Sequence, residues 1–311
     1  MTGFSATDAA LEGFRITRER PKALIAWTVF CFIVSVISVL ITVNMPAEAR
    51  AAMEQLQSDP SQPPDLDVLI QTLTVLSPVI LFGLAVQCVM AAAVYRIILA
   101  PQDGKFSYLR LGPDEFRLMA LTLIYVVLGV FLLAAGQIAV GLITFVASVA
   151  GQTAATFVFM AAELFLLGLL FFAAVRMSLA PVITFDRKRL AILDSWALTK
   201  GQFWRLIGAY ALAICCVIVV AILVMVIFSM VSGIIMLSVG GSLTDLSRIF
   251  QPDETTIRTY LNPFMIAYMM VGAIFTAIYY AVIAAPGAWA YRGLTGRVDE
   301  VAPSRSDPGI F

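Results

Sequence analysis

A chain of 311 residues that is 61% apolar and only 13% charged, with a mean hydropathy of +0.94, lies outside the range of soluble domains, whose charged fraction is about 25%. Lys and Arg total 20 and Asp and Glu total 20, so no global charge draws nucleic acid or an acidic substrate. The composition is that of a polytopic membrane protein, in which the placement of charges matters more than their sum.

Residues 1–22 form a charged lead. Ser5 and Asp8 have capping-box spacing, with Phe4 before them as a hydrophobic staple, and Ala10, Leu11 and Phe14 share one helical face, which predicts a short interfacial helix. Six segments then have the length and polarity of membrane spans: 23–43, 68–100, 118–149, 153–180, 205–238 and 263–291. The first ends near Ala47-Glu48-Ala49, which has the form of a signal-peptidase site. Its apolar core is longer than the roughly 7–15 residues of a signal sequence, so it reads as a retained helix. The stretch 118–180 has only a short polar break at Gly151, Gln152 and Thr153, and its length would also admit three short spans. Gly112-Pro113-Asp114-Glu115 reads as a helix start, and Leu190, Leu193 and Trp196 make an apolar stripe that stops at Gly201. Residues 292–311 are a polar tail.

Six spans leave only Arg50, Arg248 and Arg258 of the 20 basic residues on one side, with eight carboxylates in the loops 44–67 and 239–262. Positive-inside asymmetry then places both termini in the cytoplasm, whereas three spans within 118–180 would export Arg187, Lys188 and Arg189. The expected architecture is an all-α membrane protein of six transmembrane helices arranged as three parallel helical hairpins, with cytoplasmic interfacial helices, in a bacterial inner membrane.

An internal repeat underlies the three hairpins. The signature R-x-x-L-A-P occurs at Arg96 to Pro101 and again at Arg176 to Pro181, and Tyr291-Arg292-Gly293-Leu294 is a degenerate third copy. Leads that place an aromatic residue beside an arginine occur at Leu11 to Arg15, Asp114 to Leu118 and Gln202 to Leu206. Arg96, Arg176 and Arg292 are thus expected at similar depth, each ending the return helix of a hairpin, in a pseudo-threefold bundle. Simple anchoring of each helix by a snorkelling arginine is the plainer account of the same residues.

The stretch Ser195 to Leu206 (SWALTKGQFWRL) and the stretch Tyr108 to Arg117 (YLRLGPDEFR) resemble recurrent segments of bacterial six-span proteins. The set is similar to the membrane domain associated with glycerophosphoryl diester phosphodiesterases. That resemblance implies a six-span fold and a membrane location. No phosphodiesterase barrel accompanies it within the chain, so it implies no catalytic residue.

The chain has no histidine, which removes His-ligated haem, Ser-His-Asp and Cys-His systems and His-containing metal sites. It has no P-loop and no dinucleotide fingerprint either. No cofactor and no metal site are expected. Cys31, Cys88, Cys215 and Cys216 all fall in spans and read as small packing residues, while Asp65 and Asp67 beside Pro63 and Pro64 read as a solvated loop. Pro78 and Pro286 interrupt two return helices, at unequal depths.

Glu163 lies inside the fourth span, 13 residues before Arg176, or about 20 Å along the helix. An intramembrane carboxylate marks a pathway or an interhelical hydrogen bond. Gln137, Gln87, Tyr279 and Tyr280 are its candidate partners. The expected function is that of a non-enzymatic inner-membrane protein that assists or organises envelope and lipid-related processes, its partners being membrane lipids and a membrane or cytoplasmic protein, with no nucleic acid. The alternative is a transporter or flippase that uses Glu163.

Overall fold

The computed structural model describes residues 4–58, 66–102, 104–238, 240, 242, 250 and 256–296. The helices are α1 (Ala6–Glu19), α2 (Pro21–Val43), α3 (Ala47–Ser58), α4 (Leu66–Leu99), α5 (Pro113–Ser148), α6 (Gln152–Met177), α7 (Ala180–Arg187), α8 (Asp194–Leu198), α9 (Phe203–Ser238), α10 (Ile257–Tyr260) and α11 (Pro263–Leu294), with a 3₁₀ turn at Lys105–Tyr108. Among the described residues there is no strand, and α2, α4, α5, α6, α9 and α11 are each long and apolar enough to cross a membrane. The protein is an all-α, six-span membrane protein. Asp65 and the tail beyond 296 lie outside the described residues.

Helix ends follow local chemistry. Pro21, Pro113 and Pro263 stand in the first turns of their helices, where a missing N–H costs nothing. Asn262 caps α11 by accepting from the Met265 N–H at 2.8 Å, and Ser5 caps α1 by accepting from the Asp8 N–H at 3.3 Å. Glu115 folds back to accept from the Gly112 N–H at 2.9 Å and closes the start of α5. That helix runs for 36 residues, about 54 Å at 1.5 Å per residue, so it reaches well past a hydrocarbon layer of about 30 Å.

The centre of the bundle is α11. Ala273, Ala277, Ala281 and Ala285 repeat at a spacing of four and are fully buried, forming a flat ridge. Against it pack Ala23, Trp27 and Cys31 of α2 and Cys88, Met90, Ala92 and Ala93 of α4. Small side chains let helix axes approach closely, which is the main source of association once every face is apolar. The pseudo-threefold arrangement expected from the repeat is not the packing found, because α11 also contacts α1, α7 and α9, whereas α6, its counterpart in that scheme, packs chiefly on α5.

The lead helix α1 departs from the interfacial helix expected. It docks between α9 and α11, burying Ala9, Ala10, Glu12, Gly13 and Ile16 and turning Leu11 outward. Gly13 makes this possible: a Cβ there would stand 2.7 Å from the Ala281 carbonyl oxygen. Phe4, expected as a staple within the lead, is buried against Gly293 of α11. The stripe Leu190, Leu193 and Trp196 is solvent- or lipid-facing as expected, but it is not one helix. Lys188 adopts a left-handed conformation (φ 54°) after α7, and the Ala191 N–H donates to Thr184 Oγ1 at 3.1 Å to turn the chain.

One end of the bundle gathers the charges. Arg96, 4% exposed, ion-pairs with Glu115, donates to the Tyr108 carbonyl at 2.9 Å and lies 4.0 Å from Asp114. Asp114 also pairs with Arg117 at 2.8 Å and with Lys188 at 2.6 Å. The loop between α4 and α5 is clasped from the other side by Trp27, whose indole donates to the Ser107 carbonyl at 3.0 Å, and by Arg20, which bonds the Tyr108 hydroxyl. Helix α7 ties the neighbouring ends together: Phe185 meets Tyr95 edge to face and lies under Arg96, and Asp186 accepts from the Tyr291 hydroxyl at 2.7 Å. Glu115→Ala strands a buried guanidinium, and the expected cost is about 3 kcal/mol, the low end for such a charge because Asp114 stays near. Thermal unfolding in detergent should show it as a lowered Tm; an unchanged Tm would mean the pair contributes nothing.

Candidate functional site: a lateral crevice between two spans

A cavity of about 490 Å³ lies between α9 and α11. Met225, Phe228 and Ser229 line it from α9, and Tyr268, Gly272 and Phe275 from α11. Part of its wall is an aromatic triad, Phe228, Phe250 and Tyr268, with ring centroids 5.6 to 5.8 Å apart. Gly272 has nothing within 4 Å of where a Cβ would stand, which keeps the wall open.

Phe275 of the lining also packs, like Phe14 of α1, against a cluster of Ala10, Ala213, Val217 and Val282, which sets the lead helix next to the cavity. The lining is apolar apart from the Ser229 and Tyr268 hydroxyls, so the chamber suits a hydrocarbon chain, and no nucleophile and base face one another there. Among the described residues, no three Cys, Asp or Glu side chains come together in a metal-binding cluster. Cys31 and Cys88 are buried in the core and Cys215 is exposed.

The intramembrane polar residues singled out from the sequence do not form one site. Gln137 donates to Glu163 at 3.2 Å, joining α5 to α6. Gln87 is exposed on α4, and Tyr279 and Tyr280 on α11 contact one another at 5.6 Å; none of the three hydrogen-bonds Glu163. Phe157, Met160, Leu164 and Leu167 surround the carboxyl group on the outer surface of the hairpin, away from the crevice. The repeat-end arginines are found at one end of the bundle, Arg96 and Arg176 both buried and Arg292 half-buried. The crevice itself was missed in the sequence, where Phe228 and Tyr268 are two among many aromatic residues of the fifth and sixth spans and nothing sets them apart.

Two tests follow from this geometry. Glu12 is buried under α1, and burial pushes its carboxyl from the ordinary 4.5 up to about 7, against the opposing pull of Arg15 at 2.9 Å and of Arg292, with Glu19 adding to the rise. A folded-state pKa above the unfolded one favours the neutral acid, so docking of α1 is strongest below about pH 4.5 and weakens as pH rises through about 7. Amide exchange across α1 should quicken between pH 5 and pH 8 by more than its intrinsic chemical rate, and Glu12→Gln should remove the excess. For the second, Glu163→Gln should leave expression and stability intact because the amide keeps the bond to Gln137, while Glu163→Leu should cost about 1–2 kcal/mol. A Glu163→Gln protein that folds normally but loses an activity that the Leu variant keeps would contradict the hydrogen-bond role. No family model, curated protein or solved structure matches this chain.

Proposed function

We propose that the protein is a non-enzymatic component of a bacterial inner membrane that assists or organises lipid-related processes of the envelope, and that it does so by admitting an acyl chain into the crevice between α9 and α11. The observation that carries this is the crevice: about 490 Å³, apolar, and walled by two spans with Phe228, Phe250, Tyr268 and Phe275 among its lining. A hydrocarbon chain is the molecule that a bilayer offers in excess at that depth.

The excess of Arg and Lys at one end supports an orientation with both termini in the cytoplasm. The similarity to the membrane domain associated with glycerophosphoryl diester phosphodiesterases supports a lipid-related setting, and the recurrence of arginine-ended return helices supports an internal repeat. Exposed apolar residues at the basic end, such as Leu111, Leu193 and Trp204, provide the surface for a lipid headgroup layer or a protein partner. Glu163 adds no support to a transport pathway, since it is bonded to Gln137 outside the crevice.

A photoreactive residue in place of Val224, inside the crevice, should cross-link phospholipid several-fold more efficiently than one in place of the exposed Phe145 on α5. Gly272→Trp, which fills the open wall, should bring the Val224 position down to the Phe145 level. Equal yields at both positions, insensitive to Gly272→Trp, would overturn the proposal.

A further inference from the structure

Three arginines end the return helices, and one of them meets carboxylates on a lead segment: Arg96 reaches Glu115, with Asp114 at 4.0 Å. In two of the leads an acid stands three residues before an arginine and binds it: Glu12 with Arg15 at 2.9 Å, and Asp114 with Arg117 at 2.8 Å. The third lead keeps this geometry with the charge removed. Arg205 donates to the Gln202 amide oxygen at 3.2 Å, and the next residue is Phe203 where the α5 lead has Glu115.

Arg176 is the buried arginine left over. It is 8% exposed, its Nε is buried without a hydrogen-bond partner, and among the described residues no carboxylate lies within 4.0 Å of it. Its flanks are aromatic: the guanidinium carbon is 4.7 Å from the Trp196 ring and 5.9 Å from the Phe172 ring. Aromatic faces hold a cation in place without neutralising it, so the in-plane donors of the guanidinium remain for an anion. Ser195 and Thr199 lock the backbone beneath by donating to the Arg176 carbonyl at 2.7 and 3.2 Å, which fixes Trp196 over the guanidinium.

We propose that Arg176 is a binding site for the phosphate group of an anionic phospholipid, taking from outside the counter-charge that Glu115 supplies to Arg96 within the chain. The surroundings favour a lipid headgroup over other anions. Trp196 and Trp204 are 41% and 79% exposed and Leu193 is 66% exposed, an aromatic and apolar fringe of the kind that seats at headgroup level, and Lys200 and Arg205 are exposed beside it. Basic pockets between membrane helices are established binders of anionic headgroups, and a planar guanidinium matches two phosphate oxygens at once. The site lies at the junction of α6, α8 and α9, apart from the crevice, and stands without it.

The test is a titration of the purified full chain in neutral detergent, reading tryptophan emission, with micelles of phosphatidylglycerol, micelles of phosphatidylcholine, or inorganic phosphate. Phosphatidylglycerol should give a saturable change and phosphatidylcholine none. Arg176→Gln should weaken it by at least about tenfold, the loss of one charge-assisted contact. Arg176→Lys, which keeps the charge but loses the planar pair of donors, should weaken it several-fold. Equal affinity in a folded Arg176→Gln protein overturns the site. If that variant does not fold, unchanged affinity in Arg176→Lys overturns it instead. Inorganic phosphate reproducing the signal as well as the lipid does overturns the lipid assignment.

Discussion

Close approach of helix backbones along α11 is the constraint from which the rest of the structure hangs. Within a bilayer the lipid tails are as apolar as leucine, so burying an aliphatic side chain between helices gains little from the hydrophobic effect, and association depends on contact area and fit. The alanines at 273, 277, 281 and 285 supply that fit by having nothing to interdigitate. They bring α2 and α4 against one face of α11, while Gly13 brings α1 against Ala281 and Val282 on another. Gly287 continues the logic toward the basic end, where a Cβ would stand 2.8 Å from the Tyr210 hydroxyl.

Charge then arranges what small residues have assembled. A buried guanidinium in a low-dielectric setting requires a partner, and Arg96 finds one on a helix start whose free N–H groups Glu115 already serves. One carboxylate thereby satisfies both the end of α4 and the beginning of α5. Shared use of this kind ties the short loop to both of the long spans it joins.

The six spans were legible because length and hydropathy alone define them; the observed helices exceed the expected bounds mainly at the basic end, where proline-initiated turns carry charged residues into the helix. The bond between Glu163 and Gln137 was legible as well, since two polar groups in facing spans have few other partners. The hub role of α11 was not. In a soluble helix the buried face is the apolar one, but here buried Ala277 and exposed Ile274 are equally compatible with hydrocarbon, so the pattern of polarity does not mark the contact face. For the same reason α1 was misplaced: the apolar face of Ala10, Leu11 and Phe14 suggested an interfacial helix, and the packing value of Ala9, Ala10 and Gly13 is visible only once α9 and α11 stand beside them.

The α5–α6 hairpin meets the other helices mainly through contacts with α4, α7, α8 and α9, and those with named partners, such as Asp114 with Lys188 and Tyr125 with the Ile192 carbonyl, cluster at the basic end. Beyond them the two helices clasp one another and little else, with Leu166 filling the notch at Gly136. Mechanically this is a cantilever clamped as far as Tyr125, with a free arm of about 35 Å to the end of α5. A tilt of about 10° at the clamp displaces the free tip by about 6 Å, simple trigonometry on that arm. Small rearrangements among a few ionic contacts on one face of the membrane are therefore amplified into large lateral excursions on the other.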